Sequence, residues 1–109
     1  MDLTIQVQQQ SLRYDFQLAG EIDAYTAPQL KEALAEVDVT EQTEIVVHVN
    51  DVSYMDSTGL GVFVGFYKKV KAANGQLRIV ALNDRLYRLF EITGLNEVID
   101  IERLEREDN

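Results

Sequence analysis

The sequence predicts a single α/β domain in which a mixed sheet of four to five strands carries α-helices packed on it. Three observations lead there. Apolar and polar residues alternate near the start; short β-branched runs further on exchange places with stretches whose apolar residues recur every three or four positions; and Gly, Asn or Asp stands at the changes between them. Strands separated by helices imply parallel neighbours joined by right-handed crossovers. At 109 residues the chain fits one domain, 1–109, which can bury roughly two-thirds of its unfolded surface. Its tail, 103–109, is expected to fray.

Leu3, Ile5 and Val7 alternate with Thr4, Gln6 and Gln8, the period of a half-buried strand. Leu12, Tyr14, Phe16 and Leu18 repeat the pattern, and the polar break at 9–11 suggests a hairpin that adds an antiparallel edge. Gly20 is expected to end the second strand, with a loop over 20–23. Thr26 is placed as the N-cap of a helix through about residue 37, with Pro28 in its tolerant first turn. The β-branched run 45–49 reads as a buried central strand and 50–56 as a loop. A second helix over 57–73 carries Leu60, Phe63, Val64, Tyr67 and Val70 at helical spacing. Lys68, Lys69 and Lys71 lie in its last turns, and Asn74-Gly75 is its stop. A strand at 77–82 precedes a third helix capped by Asn83 or Asp84 and ended by Gly94, and 98–101 reads as a last short strand.

Composition excludes several classes of function. Nineteen acidic residues against ten basic give a formal charge of −9, which opposes binding to nucleic acid or an anionic membrane. The chain has no cysteine, so disulfides and thiolate metal sites are out and a reducing compartment suits it. No signal peptide is visible at Met-Asp-Leu-Thr and no apolar stretch is long enough for a membrane span, so a cytoplasmic protein is expected. No exposed heptad or long apolar edge argues against a monomer.

The most unusual segment is Tyr54-Met55-Asp56-Ser57-Thr58-Gly59-Leu60-Gly61, which joins the central strand to the second helix. Ser57 at such a junction is most simply an N-cap. Three glycines in the same helix, Gly59, Gly61 and Gly65, cost about 1 kcal/mol each relative to alanine. That cost makes sense where another backbone or a partner approaches closely, or where helix and sheet pack tightly. The glycines come near a dinucleotide-binding loop, but Val64 occupies the place of the third. A small nucleotide-binding domain therefore stays open as an alternative. There is no Walker loop, no nucleophile elbow and no calcium-loop spacing. His48, the only histidine, sits mid-strand, so no nucleophile–base pair can be assembled and the chain is not expected to be an enzyme or to need a cofactor. A phosphoryl group on Ser57 would add about 1.5 to 2 negative charges beside Asp56, at a helix N-terminus whose unpaired amides would let the fold tolerate it. The loop 21–25 could lie close by.

Three blocks carry a family resemblance: Gly20-Glu21-Ile22-Asp23 with Thr26-Ala27-Pro28; Val52 through Val62, including Met55-Asp56-Ser57-Thr58-Gly59-Leu60-Gly61; and Arg88-Leu89-Phe90-Glu91-Ile92-Thr93-Gly94-Leu95. With these the chain resembles the anti-sigma factor antagonists of the STAS group, of the general-stress type, over essentially its whole length. The resemblance implies an anti-anti-sigma factor. Its unphosphorylated form would bind an anti-sigma factor that is itself a serine kinase, and so free the sigma factor. Phosphorylation of Ser57 would abolish the binding, and a PP2C-type serine phosphatase would restore it. Asp23, Asp56, Ser57, Thr58, Gly59, Leu60 and Gly61 would form the docking face, and ATP would belong to the kinase. Local chemistry alone does not separate Ser57 from Thr58, and a generic STAS interaction module in a stress-sensing complex stays open as an alternative.

Overall fold

The computed structural model describes residues 2–105. Strands β1 (Leu3–Gln10) and β2 (Arg13–Ile22) form the antiparallel hairpin, turning at Ser11, whose φ of 57° is left-handed. There follow helix α1 (Ala27–Ala35), β3 (Glu44–Met55), α2 (Ser57–Ala72), β4 (Gln76–Leu82), α3 (Asp84–Ile92), a 3-10 turn (Leu95–Glu97) and β5 (Asp100–Arg103). The sheet is mixed and five-stranded in the order β1-β2-β3-β4-β5, parallel from β2 to β5. Among the described residues no helix is long and apolar enough to cross a membrane.

This order decides where the helices go. Consecutive parallel strands joined by right-handed crossovers put every helix on the same face of the sheet. Phe16 and Leu18 of β2, Ile45, Val47 and Val49 of β3, and Leu77 and Ile79 of β4 meet Leu30, Leu34, Phe63, Phe66, Val70, Leu86 and Phe90 in one buried cluster. The helices pack on one face of the sheet, and the opposite face is polar. There His48 Nε2 lies 2.9 Å from Asp15 Oδ1, Arg13 donates twice to the same carboxylate, and Arg78 pairs with Glu102 at 2.6 Å. Val46 lies in register between Asp15 and Arg78 and is 2 % exposed, covered without a helix.

Several boundaries differ from expectation. The central strand does not stop at residue 49 but runs on to Met55, where a loop was expected. Two register shifts against β2, between Gln17 and Ala19 and between Gly20 and Glu21, each insert a residue in β3. Val49, Val52 and Met55 are therefore buried at a spacing of three, which does not read as a strand. Gly20 does not end β2 either. Its φ is +117°, and a Cβ there would lie 2.2 Å from Asp2 O, so glycine lets the chain start pass close by while β2 continues to Ile22. In α2 it is Phe66 that is fully packed, while Val64 is half-buried. The last strand begins at Asp100 rather than 98. Gly94, with φ 76°, opens the 3-10 turn, which takes up the intervening residues and buries Ile99. Of the tail, Arg103 belongs to β5; residues 106–109 lie outside the described residues.

Candidate functional site

Parallel pairing brings the carboxyl ends of β2 and β3 side by side, with Ile22 opposite Met55 and Asp56 N donating to Ile22 O at 3.2 Å. The loops that begin with Asp23 and Asp56 are thereby neighbours, at the end of a parallel sheet where ligand-contacting loops gather. Asp56 caps α2: its Oδ1 accepts Thr58 N at 2.9 Å and Gly59 N at 3.2 Å, and its carbonyl accepts Leu60 N at 3.1 Å. The expectation that Ser57 is the cap is thus corrected. Aspartate and serine are comparable caps, and the aspartate one position earlier takes the role. Ser57 is instead the first helical residue, exposed to solvent. Two of the amides expected to receive a phosphate on Ser57 are already held by Asp56.

Asp23 organises the turn that leads into α1, and its carbonyl accepts Ala27 N at 2.8 Å. Its Oδ1 accepts Tyr25 N at 2.9 Å and Thr26 N at 3.0 Å, and its own N–H donates to Thr26 Oγ1 at 2.9 Å. The Thr26 side chain, expected to cap the helix, makes no capping bond and donates to Glu21 O at 2.8 Å. Burial, the largest single influence on the Asp23 carboxyl, favours its neutral form. The Thr26 and Tyr25 amides and the Thr26 hydroxyl together outweigh that and hold it below its ordinary value. Asp23 is only 8 % exposed, while the loop throws Tyr25 outward, 87 % exposed.

The glycines of α2 divide into two kinds. Gly59 is buried, and a Cβ there would come 2.6 Å from Ile22 Cγ2 and 2.9 Å from Met55 Cγ, so it exists to let the helix start sit on the strand ends. Nothing lies within 4 Å of a Cβ at Gly61 or Gly65, and both are exposed. Their cost of about 1 kcal/mol each in helix propensity is offset by no internal contact. Both border a groove of about 600 Å³ between α1 and α2, lined by Ala24, Ala27, Pro28, Lys31, Ala35, Thr58, Gly61, Val62, Gly65, Phe66 and Lys69. All three glycines lie inside the helix, after its start, whereas a dinucleotide loop needs them in the turn before it. That placement weighs against the nucleotide-binding alternative.

Of the expected site residues, Ser57, Thr58 and Gly61 share the exposed surface at the start of α2, and Asp56 is half-buried beside them. Asp23, Gly59 and Leu60 face inward and shape that surface from below. Thr58 lines the groove and Ser57 precedes its mouth. The contribution of α1 was missed. Its signal is the spacing of Ala27, Lys31 and Ala35, four apart and hence on one face.

The family model for the STAS domain matches residues 4–107. The chain belongs to the STAS domain family. Among its relatives in that family, a protein of Listeria monocytogenes named anti-sigma-B factor antagonist is 47% identical over 110 residues, covering 100% of this chain and 96% of the relative. A protein of the same name from Bacillus subtilis is 49% identical over 102 residues, covering 93% and 92%. Among solved structures, an anti-sigma factor antagonist from Mycobacterium paratuberculosis superposes with a TM-score of 0.82 at 26% identity, covering 93% of this chain and 86% of that one. The phosphorylated form of the Bacillus cell fate determinant SpoIIAA has a TM-score of 0.70 over 90% of each chain; at 20% identity it shares the fold. The five-stranded mixed sheet and three helices of this chain are the STAS fold.

Proposed function

We propose that this STAS protein is an anti-sigma factor antagonist controlled by phosphorylation of Ser57. Its unphosphorylated form binds an anti-sigma factor that is also a serine kinase and so frees the sigma factor. Phosphate on Ser57 releases the kinase, a PP2C-type phosphatase restores the active form, and the cycle runs in the cytoplasm. The chain itself performs no catalysis; ATP is bound by the kinase. The relatives named anti-sigma-B factor antagonists, at up to 49% identity, support the role.

The observation that carries the switch is the placement of Ser57. Its hydroxyl is exposed at the first position of α2, immediately after a carboxylate that already holds the Thr58 and Gly59 amides. An added charge of about −1.5 to −2 therefore finds those two donors taken and Asp56 beside it. The fold loses little packing, because Ser57 is exposed. A docking partner must desolvate the phosphate and Asp56 together, which costs several kcal/mol unless cations meet them. Asp23, Gly59 and Leu60 set the shape of the docking face; Asp56, Ser57, Thr58 and Gly61 supply its surface.

The test incubates the protein with its cognate kinase and ATP and maps phosphate by mass spectrometry in the wild type, Ser57→Ala and Thr58→Ala. Phosphate is expected in the wild type and in Thr58→Ala; its persistence in Ser57→Ala would overturn the site. Ser57→Asp should bind the kinase more weakly than the wild type, and equal binding would overturn the repulsion mechanism.

A further inference from the structure

We propose that the groove between α1 and α2 receives an amphipathic helix of the anti-sigma partner, and that Lys31 selects it by pairing with an acidic side chain on that helix. The inference rests on the proposed function and adds the contact that gives the docking its specificity.

The floor of the groove is apolar and smooth. Ala24, Ala27 and Pro28 form one wall, and Gly61 and Gly65, one helical turn apart and without a Cβ, form the other. A wall of this kind lets an incoming backbone approach closely, and a groove between two helices suits an apolar helix face better than an extended strand, which would find no free edge there. The lining runs along α2 from Thr58 to Lys69, about 16 Å at 1.5 Å per residue, or roughly three turns of a docked helix.

Charge identifies the occupant. The chain carries −9 overall, yet the lining contains two lysines and no carboxylate. Lys69 is already committed: its Nζ donates to Ala35 O at 3.3 Å and Val37 O at 3.1 Å, tying the end of α1 to α2. Lys31 is exposed, makes no ion pair among the described residues, and lies one turn from Ala27 and one from Ala35 on the groove side of α1. An acidic residue midway along a docked helix would meet it. A second copy of this acidic chain fits less well, because its own charge opposes the approach. Thr58 lines the mouth of the groove, so a phosphate on Ser57 would stand where the docked helix begins.

The experiment measures binding of the purified cognate anti-sigma factor by calorimetry to the wild type, Gly65→Leu, Lys31→Glu, Lys31→Arg and Ser57→Asp. Gly65 faces open space, so leucine there should fold, which a thermal melt verifies. Gly65→Leu and Lys31→Glu are each expected to weaken binding at least tenfold, while Lys31→Arg stays within about threefold of the wild type. If both groove variants bind like the wild type while Ser57→Asp does not, the groove is overturned and the switch stands. If the wild type does not bind at all, the proposed function fails, and this inference with it. If the groove variants instead abolish a dimer seen by sedimentation and leave partner binding intact, the occupant is a second copy and the proposal is wrong.

Discussion

Gly59 rests directly on Ile22, leaving only 2.6 Å between the position a Cβ would take and Ile22 Cγ2. The first turn of α2 is thereby seated on the end of β2, two strand positions from Gly20 and one residue before Asp23. Overpacking a site of this kind costs about 1 to 3 kcal/mol, against a gain of about 1 kcal/mol from replacing a helical glycine by alanine. Gly59→Ala should therefore lower stability, by up to about 2 kcal/mol, in urea unfolding. Gly65→Ala, in open space, should raise it by about 0.5 to 1 kcal/mol. Shifts of the same sign in the two variants would contradict this division of the glycines.

The capping assignment separates two adjacent residues. Asp56 accepts two amides, whereas no side-chain bond from Ser57 supports the helix. Asp56→Ala should cost about 1 kcal/mol, the usual penalty for a lost cap, and Ser57→Ala should stay within about 0.5 kcal/mol of the wild type. Chemical denaturation of both variants decides it. Were Ser57→Ala the more damaging of the two, the serine would be the cap after all.

Much of this was legible from periodicity. The hairpin, the buried run at 45–49 and the apolar stripes of the helices each obey a single repeat that packing only reinforces. Legibility fails where two constraints act on the same residues. The end of β3 is bulged, so Val49, Val52 and Met55 point inward at a spacing that neither strand nor helix predicts. Asp56-Ser57-Thr58 offers three good caps in a row, and only the path of the chain out of β3 selects the first. The groove was invisible because it belongs to two helices at once: Gly61 and Gly65 hint at close approach, but their counterpart on α1 is a row of alanines that reads as ordinary helix.

Gly20 should be the least replaceable of the glycines described. Its φ of +117° is a region that other residues rarely adopt, and a Cβ would meet backbone, Asp2 O, at 2.2 Å. Backbone strain of this type costs about 1 to 3 kcal/mol, and the clash adds to it by breaking the hydrogen bond from Glu21 N to Asp2 O. Gly20→Ala should lower stability by more than about 2 kcal/mol in thermal or urea unfolding. A loss smaller than that of Gly59→Ala would show that β1 can shift to make room.

Acid should act on this fold through Asp23 and Asp15. The amides and hydroxyl around Asp23 outweigh its burial and hold its carboxyl below the ordinary 3.8. Hydrogen bonds from Arg13 first and His48 second do the same for Asp15. A group whose folded pKa lies below its unfolded value binds protons more readily in the unfolded chain. Its stabilisation is therefore full above about pH 4, near the unfolded value, and is lost as the pH falls through the lower folded value. The melting temperature should hold steady from pH 6 to about 4.5 as far as these two groups are concerned, and fall below pH 4. Asn at position 23 keeps an oxygen that can accept the Tyr25 and Thr26 amides but has no charge to lose. Asp23→Asn should therefore melt lower than the wild type at pH 6 and converge on it by pH 2, and Asp15→Asn should behave likewise through its lost pairing with Arg13. Parallel curves for wild type and Asp23→Asn down to pH 2 would mean that the Asp23 charge does not support the turn into α1.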